Sequence, residues 1–203
     1  DEEYLTAGAT MVDTAEEVWQ RAEMIYHVKE PLPIEYKYFR KGLTLFTYLH
    51  LAAAKELTLE LLKSGINTVA FETVVTPDGK VPMLDPMSAV AGRIATMVGA
   101  QYLGRMYNGR GILMGGVPGT EPATVVILGG GVVGTHAAEM ALGLGARVIM
   151  VTRNVARLTY LEEIFHGRGR FETRVSNPYT VAELVKEADL VVGAVMVAGA
   201  RTP

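Results

Sequence analysis

Apolar and polar positions change their period repeatedly along the chain, and these changes predict strands that alternate with helices. In the N-terminal part, apolar runs typical of buried strands cover residues 24–30, 44–53 and 66–74. Apolar residues at helical spacing fill the segments between them, where Thr14 is placed to cap one helix and Gly65 to end another. Such an alternation is typical of parallel sheets that are covered by helices.

A segment rich in small residues, 85–107, is predicted to form one long helix, and a Gly-rich connector follows it. Beyond the connector the alternation resumes. The first predicted strand begins at residue 124, and three more cover 147–152, 171–176 and 190–195. The predicted helices between them cover 132–144, 155–165 and 180–188. We therefore predict an α/β protein with two domains, 1–87 and 88–203, joined by the long helix.

The composition limits the classes of protein and partner. With 203 residues and 49% apolar content, the chain can bury an ordinary globular core. Its net charge of −3 argues against a nucleic-acid-binding surface. The chain has no cysteine, and it has no apolar run suited to a membrane span or a secretion signal. We predict a cytoplasmic protein that binds neither nucleic acid nor membrane and holds no metal.

A glycine-rich stretch, "VVILGGGVVGT", joins the first strand of the second series to its helix. Within it, Gly129, Gly131 and Gly134 have the GxGxxG spacing of a dinucleotide-binding loop. Gly129 allows the tight turn, Gly131 lets the pyrophosphate approach the backbone, and Gly134 lets helix and strand pack closely. Val132 and Val133 open the helix, whose N-terminus favours an anion. The alternative is a glycine-rich turn in an unrelated α/β fold.

The end of the next strand bears on which dinucleotide binds. A NAD site usually has an acidic residue about 20 positions further on, which accepts a hydrogen bond from the ribose. This chain has Thr152 there, followed by Arg153 and Arg157. An arginine without a competing carboxylate can bind the 2′-phosphate of NADP. Alternatively, both arginines are solvated and Thr152 bonds the 2′-hydroxyl, so both NAD and NADP stay open as cofactors.

Motifs along the whole chain resemble those of the alanine dehydrogenase family, which includes the transhydrogenase alpha-subunit. In the order of the family, they are "HVKEPLP", "LFTYLHLAA", "AFETV", "PMSAVAGR", "NGRGILMGGVPG", "VVILGGGVVGT", "ALGLGA", "SNPY" and "EADLVVGAVMVAGARTP". The resemblance implies a partial substrate domain at 1–87, and the linking helix with a partial Rossmann domain at 88–203. It also implies a hexameric enzyme that interconverts L-alanine with pyruvate and ammonia using NAD, in a cleft between its domains.

The resemblance also implies roles for individual residues. Lys29 corresponds to the lysine that binds the pyruvate oxygens, and His50 corresponds to the catalytic histidine near the substrate carbonyl. Ser88, Ser176 and Arg157 correspond to residues near the nucleotide, with Arg157 close to the adenosine ribose. Independently, the apolar pattern puts Lys29 and His50 at strand ends, where α/β sheets bind ligands, and an imidazole can exchange a proton near neutral pH. Taken alone, each of these two residue types is more often structural.

Several positions depart from the family pattern. His27, predicted to share a strand face with Lys29, stands where the family often has lysine, and Ala89 stands where it often has glutamate. Thr152 replaces the acidic residue of the family. Both ends of the chain look cut, without an N-terminal arginine and a later aspartate of the family, so we expect this piece alone to be inactive. Two alternatives stay open. One is the NAD-binding subunit of a transhydrogenase, which has no need of Lys29 and His50, and the other is a non-catalytic relative.

Overall fold

The computed structural model describes residues 1–195, and the end of the last motif, 196–203, lies outside the described residues. The chain divides into two compact units, Asp1–Leu84 and Asp85–Pro203. The predicted boundary between residues 87 and 88 falls in the first turn of the long helix, which belongs to the second unit from its first residue. Each unit contains a parallel sheet with helices packed on it, and the predicted α/β class is confirmed.

The first unit is built on a three-stranded parallel sheet in the order β1-β2-β3. The strands are β1 (Met24–Tyr26), β2 (Thr44–Thr47) and β3 (Asn67–Ala70). The helices are α1 (Glu2–Thr6), α2 (Ala15–Arg21) and α3 (Lys55–Ser64), and 3₁₀ segments cover Pro33–Tyr38 and Phe71–Thr73.

Local signals set the ends of the helices in this unit. The Thr14 hydroxyl accepts a hydrogen bond from the N–H of Glu17 at 3.2 Å, and Gly65 ends α3 with a φ of 65°, so both predicted caps are confirmed. The apolar sides of α2 and α3 then pack on the sheet. Their shared core consists of Trp19, Ile25, Leu43, Leu45, Leu49, Leu57, Leu61 and Ile66.

The second unit is built on a four-stranded parallel sheet in the order β6-β5-β4-β7. The strands are β4 (Thr124–Leu128), β5 (Arg147–Thr152), β6 (Phe171–Val175) and β7 (Leu190–Gly193). The helices are α4 (Asp85–Leu103), α5 (Val132–Gly143), α6 (Val155–Phe165) and α7 (Pro178–Glu187), with a 3₁₀ segment at Arg105–Tyr107. This is the order of the first four strands of a Rossmann sheet, and the loop after β4 lies where the strand order reverses.

The two central strands of this sheet, β4 and β5, are buried on both faces. Successive residues point to opposite faces, and the two resulting sets pack in separate clusters. The set that packs with the small residues of α5 comprises Val125, Ile127, Val148 and Met150. The set that packs with α7 comprises Val126, Ile149 and Val151. Burial on both faces explains why these strands read as continuous apolar runs rather than as alternating patterns.

Several elements differ in length from the prediction. β1 ends at Tyr26 rather than at residue 30. Beyond it, the Tyr48 N–H donates to the Val28 carbonyl at 3.4 Å, and the Thr47 hydroxyl donates to the Lys29 carbonyl at 2.7 Å. β2 ends at Thr47 rather than at residue 53. α4 ends at Leu103, and a separate 3₁₀ turn takes the remaining predicted positions. None of the helices within residues 1–195 combines the length and the apolarity needed to cross a membrane.

The helix α7 begins two positions before the prediction placed it. The Asn177 side chain accepts a hydrogen bond from the N–H of Thr180 at 2.8 Å, so Asn177 is the cap. Pro178 then takes the first helical position, where its lack of an N–H costs nothing.

Candidate functional site

The loop between β4 and α5 has a geometry that requires two of its glycines. Gly129 adopts a φ of 109°, which residues with a side chain rarely do, and its N–H donates to the Val151 carbonyl at 2.8 Å. A Cβ at Gly134 would overlap the Gly129 carbonyl oxygen and would lie 3.3 Å from the Ile127 side chain. The first turn of α5 can therefore approach β4 this closely only with glycine at position 134.

The middle glycine of the pattern, Gly131, is different because a Cβ there would meet nothing within 4 Å. Gly131 is the N-cap of α5, and the helix begins at Val132. The N–H groups of a first turn have no acceptor within their own helix and mark its positive end. Gly131 therefore borders open space at the N-terminus of α5, and no side chain of the described residues caps this helix end. Such a helix N-terminus is suited to an anion such as a pyrophosphate.

Arg157 holds this loop from the neighbouring helix α6. Its Nε donates to the Gly130 carbonyl at 2.6 Å, and Nη2 donates to the Thr135 hydroxyl at 2.9 Å. The guanidinium also lies over the Tyr160 ring, 4.7 Å from its centroid. The half-buried Arg157 side chain thus joins α6 to the loop and to the first turn of α5. The sequence alone left two alternatives for Arg157, a nucleotide contact or a solvated surface position.

The other predicted nucleotide residues of the sheet lie at its carboxyl edge. Thr152 is the last residue of β5, and its carbonyl accepts the N–H of Ser176 at 3.0 Å, directly after β6. Gly129 follows β4 at the same edge. Arg153 comes next along the chain and is exposed. Parallel strands end together at one edge, so these positions from three strands share it.

Ser88 reaches this region from α4 rather than from the sheet. It precedes Gly92 by one helical turn, which places both on one face of α4. A Cβ at Gly92 would overlap the Val133 carbonyl, so α4 packs directly on the first turn of α5. Arg157 thus contacts the predicted phosphate loop, residues 129–134, while Thr152 and Ser176 lie at the sheet edge and Ser88 lies on α4, which packs on α5. The roles of all these residues in binding stay predictions.

The two predicted substrate residues follow β1 and β2 at the carboxyl edge of the first sheet. The Lys29 carbonyl accepts the Thr47 hydroxyl at 2.7 Å, which ties the turn after β1 to the end of β2. The adjacent Glu30 carboxylate then lies 4.0 Å from Nε2 of His50. The Glu30 Oε2 atom is buried and, among the described residues, has no hydrogen-bond partner. Lys29, Glu30 and His50 therefore belong to one cluster of polar residues, in which Glu30 faces His50 and the exposed Lys29 adjoins Glu30 in the chain.

The structure corrects the expected backbone of this cluster. His27 and Lys29 do not share a strand face, because β1 ends at Tyr26 and the His27 ring turns back to bond the Lys29 carbonyl at 2.7 Å. Among residues 1–195, no acceptor lies within hydrogen-bond or ion-pair distance of the Lys29 ammonium, and the residue is exposed. This leaves a cation that a carboxylate or carbonyl oxygen of a ligand can contact.

His50 does not end a strand either. β2 ends three residues earlier, and His50 has a φ of 49° in the left-handed region. The Glu72 carboxylate accepts the N–H of His50 at 2.7 Å and the N–H of Leu49 at 3.1 Å. The His50 imidazole stacks on the Tyr48 ring, with centroids 5.9 Å apart and planes 12° apart. A turn held by side chains, rather than a strand, therefore presents the imidazole.

Sequence reasoning passed over Glu30, Thr47 and Glu72 as candidates. One available signal was position: Glu72 follows β3 within two residues, just as His50 follows β2 within three. Adjacent parallel strands bring such positions to one edge. For Thr47 the reason is visible only in the structure, where the residue is fully inaccessible and therefore requires a hydrogen-bond partner.

Comparisons with known proteins identify the family of the chain. Residues 1–91 match the family description "Alanine dehydrogenase/PNT, N-terminal domain", and residues 95–203 match "Alanine dehydrogenase/PNT, C-terminal domain". Alanine dehydrogenase of Methanococcus maripaludis is 51% identical over 203 residues, which are 100% of this chain and 54% of the relative. That of Bacillus subtilis is 50% identical over 204 residues, 100% of this chain and 53% of the relative.

Solved structures give the same result. A structure of L-alanine dehydrogenase superposes with a TM-score of 0.86 and 52% identity, covering 100% of this chain and 55% of that one. A transhydrogenase structure from Sinorhizobium meliloti shares the fold, with a TM-score of 0.72 and 23% identity over 100% of this chain and 58% of that one. The chain spans about half the length of the curated relatives it matches. With both of its halves matched in chain order, the protein belongs to the alanine dehydrogenase/PNT family.

Proposed function

We propose that the full-length protein is an L-alanine dehydrogenase, which reversibly converts L-alanine to pyruvate and ammonia with NAD. The observation that carries the proposal is the cluster at the first sheet's edge, where Glu30 faces His50 and the exposed Lys29 adjoins Glu30 in the chain. A nucleotide module that only passes hydride to a partner has no use for this cluster. The curated relatives, about half identical over the whole chain, bear the same name.

In this proposal Lys29 and His50 divide the work on the substrate. The exposed Lys29 ammonium binds and polarises the oxygens of pyruvate, for which a compact cation is suited. The His50 imidazole holds and releases the proton that moves as ammonia adds to the carbonyl or leaves it. The nicotinamide, when bound, accepts or returns the hydride.

The second unit would hold the dinucleotide. The open side of Gly131 and the first-turn amides of Val132 and Val133 suit the pyrophosphate. Thr152 and Ser176 lie at the carboxyl edge beside them and suit the adenosine part. We propose NAD as the cofactor.

The alternative cofactor NADP depends on the arginines after β5. Arg157 already donates to the Gly130 carbonyl and the Thr135 hydroxyl, so a 2′-phosphate would have to compete with these bonds. Arg153 is exposed and, within residues 1–195, has no hydrogen-bond or ion-pair partner. Binding of NADP would therefore rest mainly on Arg153, and this favours NAD.

The test is turnover of the full-length protein with L-alanine, using NAD and NADP in turn. We expect NADH formation with L-alanine, and a His50→Ala variant should lose turnover while keeping its dinucleotide affinity. Hydride transfer between two dinucleotides without any reaction of alanine would instead favour the transhydrogenase alternative. Binding of NAD with neither activity would favour a non-catalytic relative.

A cytoplasmic homo-hexamer completes the proposal, on the strength of the family resemblance. Light scattering on the purified full-length protein tests this assembly, and a monomer would contradict it.

A further inference from the structure

The carboxylate of Glu72 lies against the backbone that presents His50. Its Oε1 accepts the N–H of His50 at 2.7 Å and that of Leu49 at 3.1 Å, and its Oε2 lies 3.3 Å from the Leu49 nitrogen. Two successive amides thus converge on one ionised group. Successive N–H groups of this kind form an anion-binding concavity, and hydrogen bonds to a carboxylate are about twice as strong as neutral ones.

The strand arrangement creates the need for this contact. β2 and β3 pair as far as Thr47 and Ala70, beyond which neither strand continues. The amides that follow β2 have no strand neighbour on that side, and the Glu72 side chain takes its place. The contact spans 22 positions of the chain at His50, so it fixes two strand ends relative to each other.

The same contact stabilises a conformation that histidine rarely adopts. His50 has a φ of 49°, and a side-chain-bearing residue held there costs of order 1–3 kcal/mol. Without an acceptor for the Leu49 and His50 amides, the turn would be free to relax toward ordinary backbone angles. The imidazole would then leave its stacked position against Tyr48, whose hydroxyl donates to the Met83 carbonyl.

We propose that Glu72 is a positioning residue for the reaction, which acts by holding the strained turn that directs the His50 imidazole at the substrate. The inference rests on the proposed function. Glu72 does this through the backbone, whereas Glu30 faces the imidazole itself. The two carboxylates near His50 therefore have separable effects.

Steady-state kinetics of the full-length enzyme provide the first test. Glu72→Ala removes both acceptors and should lower kcat on the order of 100-fold, the cost of a displacement of about 1 Å, with unchanged affinity for NADH. Glu72→Gln can keep an oxygen at the Oε1 position. Its kcat should therefore lie well above that of Glu72→Ala, on the order of tenfold below wild type. Equal losses in the two variants would contradict the proposal, because a role that needs the charge itself is not restored by the amide.

A double-mutant cycle separates positioning from general stability. The residual kcat of His50→Ala, measured at high enzyme concentration, should fall no further when Glu72→Ala is added, since there is no imidazole left to position. An additive loss would overturn the proposal. Glu60→Ala is the matched control: Glu60 is a glutamate of α3 whose contact is with Lys63 at 3.4 Å on the surface, and its loss should leave kcat unchanged.

Hydrogen exchange tests the contact without any turnover. In Glu72→Ala, the amides of Leu49 and His50 should exchange at least tenfold faster than in wild type, with other amides of the first unit unchanged. Unchanged exchange at these two amides would overturn the inference. If the wild-type protein does not convert alanine, the proposed function fails, and this measurement alone decides whether Glu72 holds the turn.

Discussion

Replacement of Gly134 by alanine tests the packing of the phosphate loop. The added Cβ would lie 3.1 Å from the Gly129 carbonyl carbon, closer still to its oxygen, and 3.3 Å from the Ile127 side chain. The nearest atoms belong to the backbone, so no side-chain rotation relieves the overlap. Overpacking of a tight site costs typically about 1–3 kcal/mol. Against this, alanine within a helix gains about 0.4–1 kcal/mol over glycine.

Gly143 supplies the matched control in the same helix, because a Cβ there would meet nothing within 4 Å. Gly143→Ala should therefore show the helical gain alone. The difference between the two variants isolates the overlap at Gly134. We expect it to be about 2 kcal/mol, roughly a 30-fold change in the unfolding equilibrium.

Urea unfolding of the two full-length variants measures this difference, and NADH fluorescence measures binding. If the loop shifts to relieve the overlap, part of the cost will appear as weaker dinucleotide binding instead of lower stability. Either loss in Gly134→Ala relative to Gly143→Ala supports the reasoning. Equal urea midpoints together with equal NADH affinities would refute it.

Three further predictions concern single positions. Gly131→Ala should leave the urea midpoint unchanged, because its Cβ meets no protein atom. It should weaken NADH binding at least tenfold by occupying the space for the pyrophosphate, and an unchanged NADH affinity would contradict pyrophosphate binding at Gly131. Thr152→Asp should lower NADPH affinity more than NADH affinity, since a carboxylate repels the 2′-phosphate, and equal ratios in both proteins would remove Thr152 from cofactor choice. The Arg147 hydrogen bond holds the pKa of Glu172 below its ordinary value of 4.5. This pair therefore stabilises the folded protein above pH 4.5, and its contribution to the free energy of unfolding is lost as the pH falls through the lowered pKa. Glu172→Gln should flatten the stability profile in that acid range, and an unchanged profile measured by urea unfolding would show that the pair contributes nothing.

The loop after β4 could be predicted from sequence because most of its determinants are local. An apolar strand, three spaced glycines and a following helix lie within residues 124–143. The positive φ of Gly129 and the approach of Gly134 to the Gly129 carbonyl both arise inside this segment. The same holds for the caps at Thr14 and Gly65, where one side chain or one backbone angle decides the helix end. Short-range geometry leaves few alternatives at such positions.

The region around Lys29 and His50 was harder to predict because its determinants are distant in the chain. The apolar run 44–53 indicated one long strand, but β2 stops at Thr47 when the amides beyond it turn to Glu72. That partner lies on another strand end, and no local pattern pairs the two. Arg157 was ambiguous for the same reason, since its acceptors at Gly130 and Thr135 are 27 and 22 positions away.

The two units use backbone amides at strand ends in opposite ways. In the first, the amides of Leu49 and His50 converge on a carboxylate that the chain itself supplies, Glu72. In the second, Gly131 borders open space at the N-terminus of α5, where a ligand can supply the anion. An internal anion suits the positioning of a reacting side chain, whereas an external one suits reversible binding. Under the proposed function, the same physical interaction would position a reacting side chain in the first unit and bind an exchangeable dinucleotide in the second.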